Sequence, residues 1–136
     1  TILPCRVLFR GADEQYRPLL KLLYMSAAAR KKVLFVCTAN QQRSPTAEHM
    51  YKNDPRFTVR SAGTHALANN QVSAALVKWA DLIVVMEERH ARDIRSVYGE
   101  DLGSTPIIVL GIPDVYGYME QALQRQIREL FEEAVK

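Results

Sequence analysis

The chain has 136 residues, of which 48% are hydrophobic and 24% charged, with a formal net charge of +3. This length suits one domain with a single core, and so mild a charge predicts no nucleic-acid partner. No apolar run approaches the length of a membrane span, so we expect no membrane partner. The two cysteines, Cys5 and Cys37, are too far apart to indicate a disulfide framework or a metal site, which fits a cytoplasmic protein.

The first 30 residues contain two short patterns. Residues 6–9 favour a small strand, and residues 16–29 favour a leucine-rich helix. Residues 19–29 superficially resemble the end of a secretory signal, but Lys21 interrupts the apolar run and acidic residues precede it. We therefore predict one strand and one helix here, and no signal peptide.

A strand, a loop and a helix follow one another over residues 33–48. Residues 33–36 are a short β-favouring run, typical of a strand buried on both faces of a parallel sheet. Ser44 is a good N-cap, Pro45 suits the first helical position, and Glu48 is expected in the first helical turn. Such a unit directs backbone N–H groups and the positive helix end at one point, where phosphate binds. Cys37 lies at that point, and its thiolate is favoured there.

Arg43 and Ser44 add to the chemistry of this loop. The planar fork of Arg43 can hold two phosphoryl oxygens at once, and the Ser44 hydroxyl can donate a hydrogen bond to the Cys37 sulfur. The alternative interpretation makes Cys37 a buried core thiol and Arg43 an exposed charge. The combination of strand, loop length, Arg-Ser-Pro and helix favours the functional interpretation.

Strands and helices alternate after this unit. The predicted elements are a strand at 57–60, a helix at 71–79, a strand at 81–85, a helix at 87–97, a strand at 106–110 and a helix at 119–135. The alternation predicts a three-layer α/β fold, in which a four-stranded parallel sheet of order 2-1-3-4 carries helices on both faces. The Cys37 loop then lies at the switch point of the sheet.

Two of the predicted helices have apolar faces. The face of helix 71–79 contains Val72, Ala75 and Leu76. The stripe of helix 119–135 consists of Met119, Leu123, Ile127, Leu130, Phe131 and Ala134. Helix 87–97 is highly charged, so we expect much of its surface to face solvent.

The run CTANQQRSPTAE, together with SAGT at 61–64 and an acidic segment near the C-terminus, resembles the low-molecular-weight protein tyrosine phosphatase family. The resemblance covers about residues 32–136, so we expect an N-terminal extension over residues 1–30 and a phosphatase-like domain over residues 31–136. It implies that Cys37 is the nucleophile, that Arg43 binds the phosphoryl group and that Ser44 tunes the thiolate.

The same resemblance defines the phosphate loop and its support. Asn40 matches the family asparagine that holds the shape of the loop, and Ser61 matches its serine partner. The phosphate-binding residues are then Thr38, Ala39, Asn40, Gln41, Gln42 and Arg43.

The chain departs from the family pattern in the phosphate loop and after SAGT. Many members have glycine at the position of Ala39 and a second cysteine at the position of Gln42. Without that second thiol, an oxidised Cys37 is expected to pass to sulfenic acid or to pair with an outside thiol. The segment between SAGT and the next strand is short, so we expect one wall of the substrate cleft to be reduced.

A phosphatase of this kind needs an acid to protonate the leaving oxygen. Asp114 is the best candidate, because it lies on the loop that follows the strand at 106–110, at the edge where parallel sheets collect their active-site loops. The family presents this acid before proline, whereas here Pro113 precedes it, and an ordinary Pro-Asp turn is the alternative. Tyr116 keeps the spacing of a family aromatic that flanks the substrate ring.

These residues predict hydrolysis of phosphotyrosine or another aryl phosphate monoester through a phosphocysteine intermediate, without metal or cofactor. The expected partner is a phosphotyrosine-containing protein or a small aryl phosphate. A catalytically weak phosphate- or phosphotyrosine-binding module and an arsenate reductase-like protein of the same fold are the alternatives. The reductase needs further nearby thiols, and only Cys5 is present.

Overall fold

The computed structural model describes residues 30–136. The strand predicted at 6–9, the helix predicted at 16–29 and Cys5 lie outside the described residues. The strands are β1 Lys31–Cys37, β2 Phe57–Gly63, β3 Leu82–Val85 and β4 Ile107–Val109. The helices are α1 Arg43–Tyr51, α2 Ala74–Trp79, α3 Glu88–Leu102 and α4 Gln121–Ala134.

The four strands form one parallel sheet of order β2-β1-β3-β4. This confirms the predicted α/β fold and strand order. All residues from Val33 to Cys37 are buried, as expected of a central strand covered on both faces. Because all strands run the same way, their carboxyl ends meet at one edge of the sheet, where the Cys37 loop begins.

Two apolar cores confirm the three layers. On one face, Phe35 packs with residues of α1 and α4, and the Phe131 ring lies 5.2 Å from the Phe35 ring. On the other face, Leu34 and Val36 pack with residues of α2 and α3. Successive β1 residues therefore serve opposite cores, as the pleat of a strand requires.

The start of α1 differs from the prediction. The helix begins at Arg43, with Gln42 at the N-cap, so Ser44 is a helical residue and not the cap. Pro45 is the third residue of the helix, where its missing N–H leaves no intrahelical bond unmade. Glu48 lies beyond the first turn and accepts a hydrogen bond from the Ser61 hydroxyl. Tertiary contacts of Ser44 and Glu48, described below, replace the local capping roles.

The other helices differ from the predictions mainly at their ends. α2 is shorter than predicted, and it buries Val77 while Ala75 is exposed. α3 continues to Leu102, and it buries four of its residues, His90 among them. In α4 the buried stripe is Leu123, Ile127 and Phe131, whereas Leu130 and Ala134 are exposed. Met119 lies before the helix, with a positive φ of 60°.

No helix between residues 30 and 136 is long and apolar enough to cross a membrane.

Candidate active site

The loop between β1 and α1 is held tightly against β2. Cys37, the last residue of β1, pairs with Gly63 at the end of β2. A Cβ atom on Gly63 would lie 2.4 Å from the Thr38 carbonyl oxygen and 3.0 Å from the Asn40 nitrogen, so only glycine permits this approach. Asn40 itself has a positive φ of 55°, which asparagine tolerates better than most residues. Ala39 replaces the glycine that is common at this position in the family that the sequence resembles, and its φ is not positive.

Backbone hydrogen bonds from residues 64–69 bind the outer side of the loop. The N–H groups of Thr64 and His65 donate to the carbonyls of Cys37 and Thr38, both at 3.0 Å. Asn69 donates twice, from its backbone to Ala39 O at 3.1 Å and from its side chain to Asn40 O at 3.0 Å. In a trans peptide the C=O and N–H groups point in opposite directions. The N–H groups of residues 38–41 therefore point to the inner side of the loop.

The Cys37 thiol lies inside a hydrogen-bond network. Its sulfur is 2.9 Å from Ser44 Oγ, and both residues are buried. The Asn40 side chain donates to Ser44 Oγ at 3.0 Å and to Ser61 Oγ at 2.9 Å. Because the Ser61 hydroxyl donates in turn to the Glu48 carboxylate, it is free to accept from Asn40. The network fixes the Ser44 oxygen beside the sulfur.

The Arg43 side chain is buried, only 1% exposed, behind the loop. Its Nη1 atom donates to the Glu87 carboxylate at 2.5 Å and to the Ile112 carbonyl at 2.8 Å. Nε and Nη2 form the opposite edge of the guanidinium. Nε lies 3.7 Å from Asp114 Oδ1, and Nη2 donates to Thr38 Oγ1 at 3.4 Å. One edge of the fork is therefore fixed by the protein, and the other faces the loop.

Glu87 is a site residue that the sequence did not identify. Hydrogen bonds from Arg43, and then from Arg89, hold the pKa of the Glu87 carboxyl below its ordinary value against the effect of burial. Glu87 follows β3 by two residues, so it lies at the same carboxyl edge of the sheet as the Cys37 loop. That position is the signal from which Glu87 could have been found.

Asp114 lies near the loop, with Oδ1 3.7 Å from Arg43 Nε. Its carboxylate is on the same side of Arg43 as Thr38, and its side chain is 54% exposed. Ile112, two residues earlier, anchors this segment through its bond to Arg43 and through its N–H, which donates to Met86 O at 2.8 Å. The segment therefore brings an exposed carboxyl group to the mouth of the site.

The Tyr116 ring is half-buried. It packs against the core beneath α4, and its hydroxyl accepts a hydrogen bond from Gln126 Nε2 at 3.0 Å. Tyr118 is more exposed, and its ring meets the His49 ring edge to face. Within residues 30–136, no three histidine, cysteine or acidic side chains cluster in a way that could hold a metal ion.

Sequence comparisons identify a family. A family model described as "Low molecular weight phosphotyrosine protein phosphatase" matches residues 32–71. The chain is 32% identical over 132 residues to the low molecular weight protein-tyrosine-phosphatase Wzb of Salmonella typhimurium, and the match covers 74% of this chain and 82% of Wzb. It is 28% identical over 138 residues to Etp of Escherichia coli strain K12, across 72% of this chain and 93% of Etp.

A solved structure supports the same fold. Vibrio vulnificus Wzb in complex with benzylphosphonate superposes with a TM-score of 0.58 and 26% sequence identity, and the superposition covers 77% of this chain and 94% of that one.

Proposed function

The chain belongs to the low-molecular-weight protein tyrosine phosphatase family, and from that premise we propose that it hydrolyses phosphotyrosine and other aryl phosphate monoesters through a phosphocysteine intermediate. The relatives carry the name of protein tyrosine phosphatases, and the Vibrio vulnificus structure holds benzylphosphonate, an aryl compound with a phosphonate group. The observation that carries the proposal is the 2.9 Å contact between Cys37 Sγ and Ser44 Oγ within the inward-facing loop.

The loop supplies the binding site for the phosphoryl group in this proposal. The N–H groups of residues 38–41 and the Nε–Nη2 edge of Arg43 are donors arranged around one point, next to the Cys37 sulfur. Donors that are held in place before the reaction stabilise the charge on the equatorial oxygens of the transition state without reorganisation. We propose the following phosphate-binding residues: Thr38, Ala39, Asn40, Gln41, Gln42 and Arg43.

Two displacements at phosphorus complete the reaction. The Cys37 thiolate attacks phosphorus, so that an S–P bond forms while the P–O bond to the aryl group breaks, and Asp114 gives its proton to the departing oxygen. Water then attacks phosphorus and gives a proton to Asp114, and the S–P bond breaks to release the thiolate and inorganic phosphate. No step needs a metal ion or a cofactor.

Asp114 suits the role of acid because its exposed carboxyl group lies beside the Nε–Nη2 edge of Arg43. A phosphoryl group bound to that edge places its leaving oxygen toward solvent, on the side from which Asp114 approaches. Val115 is 70% exposed and Tyr116 half-buried on the same segment, and we assign Tyr116 to the flank of the aryl ring. We also propose that residues 31–136 carry this activity and that the protein acts in the cytoplasm.

Hydrolysis of para-nitrophenyl phosphate and of a phosphotyrosine peptide tests the proposal. We expect turnover by the wild type, none by Cys37→Ser, and a loss of about 10²–10⁴ in rate by Asp114→Asn. Asp81→Asn is the matched control, because Asp81 is an exposed carboxylate just before β3, at the end of the sheet opposite the Cys37 loop, and asparagine keeps an oxygen that can accept from Lys32 N. Full activity of Asp114→Asn would reject Asp114 as the acid.

The same assay separates the alternatives. A phosphate- or phosphotyrosine-binding module would bind the peptide without releasing phosphate. An arsenate reductase-like protein would consume a reductant with arsenate, and it would need a resolving thiol besides Cys37, which residues 30–136 do not contain. Either result would overturn the proposed hydrolysis.

A further inference from the structure

The Thr38 hydroxyl lies within a cluster of three nitrogen atoms, and the mechanism above uses neither the hydroxyl nor the nitrogens of His90 and Arg89. Its Oγ1 atom is 2.9 Å from His90 Nε2, 3.0 Å from Arg89 Nη2 and 3.4 Å from Arg43 Nη2. Thr38 immediately follows the nucleophile Cys37 and is half-buried. The hydrogen-bond roles of these partners decide where the Thr38 proton points.

His90 is a donor to Thr38. It is buried, and its Nδ1 atom accepts a hydrogen bond from the backbone N–H of Glu87 at 3.0 Å. Burial, together with the charges of Arg43 and Arg89, lowers the pKa of His90 to about 4, so the ring is neutral near pH 7. A neutral imidazole carries one proton, and since Nδ1 accepts, the proton is on Nε2. The contact to Thr38 is therefore Nε2–H to Oγ1.

Arg89 is a second donor, because a guanidinium group has no acceptor. It comes from the exposed side, and its Nη2 atom also donates to the Glu87 carboxylate at 3.0 Å. A hydroxyl oxygen has two lone pairs and one proton. His90 and Arg89 take both lone pairs, and Arg43 Nη2 also donates to Oγ1 over a longer 3.4 Å, so the Thr38 proton has to point away from all three nitrogens.

An anion held at the free edge of Arg43 would lie beside the Thr38 hydroxyl and could accept its proton. Nη1 of Arg43 is occupied by Glu87 and by the Ile112 carbonyl, so a phosphoryl group meets the Nε–Nη2 edge, and Thr38 Oγ1 lies next to Nη2. We propose that the Thr38 hydroxyl donates a hydrogen bond to the phosphoryl group bound at Arg43, and that His90 and Arg89 are positioning residues that aim its proton. This inference rests on the proposed function of the loop.

A purely structural role for Thr38 makes a different prediction. As a simple link between the phosphate loop and α3, Thr38 would affect folding stability, and phosphate affinity would change only as the fold loosened. As a donor to an anion, it contributes a charge-assisted hydrogen bond, which serine can replace and valine cannot. Valine has nearly the shape of threonine, so the comparison isolates the hydroxyl.

The test measures kcat/KM for para-nitrophenyl phosphate and the inhibition constant of inorganic phosphate in the wild type, Thr38→Val and Thr38→Ser. We expect Thr38→Val to lower kcat/KM and to raise the inhibition constant of phosphate, each by about tenfold to a hundredfold. Thr38→Ser should stay within about threefold of the wild type in both quantities. Equal values for Thr38→Val and the wild type would overturn the inference, and so would a loss in Thr38→Ser as large as that in Thr38→Val.

A double-mutant cycle tests the positioning residue. His90→Leu should reduce kcat/KM severalfold in the wild-type background and have no further effect in Thr38→Val, because the hydroxyl that it aims is already gone. Independent, additive losses would contradict the assignment. Melting temperatures show whether His90→Leu is folded. If it is not, Arg89→Met replaces it in the cycle; because Arg89 also donates to Glu87, we then expect a smaller loss in Thr38→Val than in the wild-type background rather than none.

Calorimetric titration with inorganic phosphate distinguishes failure of this inference from failure of the proposed function. If the wild type binds phosphate but does not hydrolyse esters, the proposed function fails alone, and the affinity of Thr38→Val still decides the role of the hydroxyl. If the wild type binds no phosphate, this inference fails as well.

Discussion

Replacing Glu87 by alanine tests whether the ion pair behind the loop positions the Arg43 guanidinium. Glu87 is the charged partner of the buried Nη1 atom, and the carbonyl of Ile112 is its neutral partner. Without the carboxylate, Arg43 keeps one of these two bonds and is free to rotate. The edge that we assign to the phosphoryl group would then lose its fixed direction.

The structure sets the size of the effect. Removing one partner of a buried ion pair costs about 3–5 kcal/mol, because the other charge is left unpaired. Here the Glu87 side chain is 31% exposed while that of Arg43 is 1% exposed, so water reaches one side of the pair. We therefore expect Glu87→Ala to lower the free energy of unfolding by about 2–3 kcal/mol. For a domain of this size, that lowers the melting temperature by about 8 °C or more.

The effect on activity is expected to be larger than the stability loss suggests. A misplacement of about 1 Å in a binding group costs about a hundredfold in rate, so we expect kcat/KM of Glu87→Ala to fall by about that factor. Glu87→Gln keeps an acceptor and loses the charge, so it should lie between Glu87→Ala and the wild type.

Thermal unfolding and para-nitrophenyl phosphate kinetics measure the two effects in parallel. Glu88→Ala is the matched control on the same helix, since the Glu88 side chain is 65% exposed and lies 3.8 Å from Arg95. An exposed pair of this kind contributes at most about 1 kcal/mol. Wild-type kcat/KM and melting temperature in Glu87→Ala would refute the positioning of Arg43 by Glu87.

Three further predictions concern the fold around the site. Gly63→Ala should abolish most activity and lower the melting temperature, because its Cβ atom would overlap the Thr38 carbonyl. Gly99→Ala is the control: no atom lies within 4 Å of its Cβ position, so it should leave the melting temperature unchanged or raise it slightly. Phe131→Ala should cost about 3–5 kcal/mol of unfolding free energy in denaturant titrations, and a loss below about 1 kcal/mol would contradict its core role. Hydrogen bonds from Arg43 to Glu87 and from Arg56 to Glu132 lower the pKa values of these two carboxyls. Their contribution to the free energy of unfolding is therefore complete above the ordinary pKa of 4.5 and is lost as pH falls through the lowered pKa values. Unfolding titrations from pH 6 downward should show this loss, and Glu132→Gln should make it smaller; equal slopes in both proteins would contradict the assignment.

The fold was predictable because its signals are local. The uninterrupted apolar run of β1 indicates a strand covered on both faces, and the alternation of strands and helices leaves few parallel topologies once crossovers are right-handed. The ends of the helices were not predictable in the same way. Leu130 follows the apolar period of α4, yet it is exposed, because the core already holds Ile127 and Phe131 on that face.

Some tertiary contacts at the site have no local signal. Ser44 has the residue type of an N-cap, but its hydroxyl lies against the Cys37 sulfur, and the chain becomes helical before it. Glu87 contacts Arg43 across 44 positions, and His90 contacts Thr38 across 52, so no spacing rule connects them. Only the shared carboxyl edge of the sheet brings Glu87 near the loop, and a topological argument of that kind identifies a region rather than a residue.

In the proposed mechanism Cys37 carries the phosphoryl group during turnover, and trapping that intermediate shows whether it does. Wild-type protein that is mixed with para-nitrophenyl phosphate and acid-quenched within a turnover should gain the mass of one phosphoryl group on the peptide that contains Cys37. Cys37→Ala, which has no nucleophile at this position, should show no such adduct, and Cys37→Ser should show no turnover. Hydrolysis by the wild type without phosphorylation of Cys37, or hydrolysis that persists in Cys37→Ser, would contradict the account.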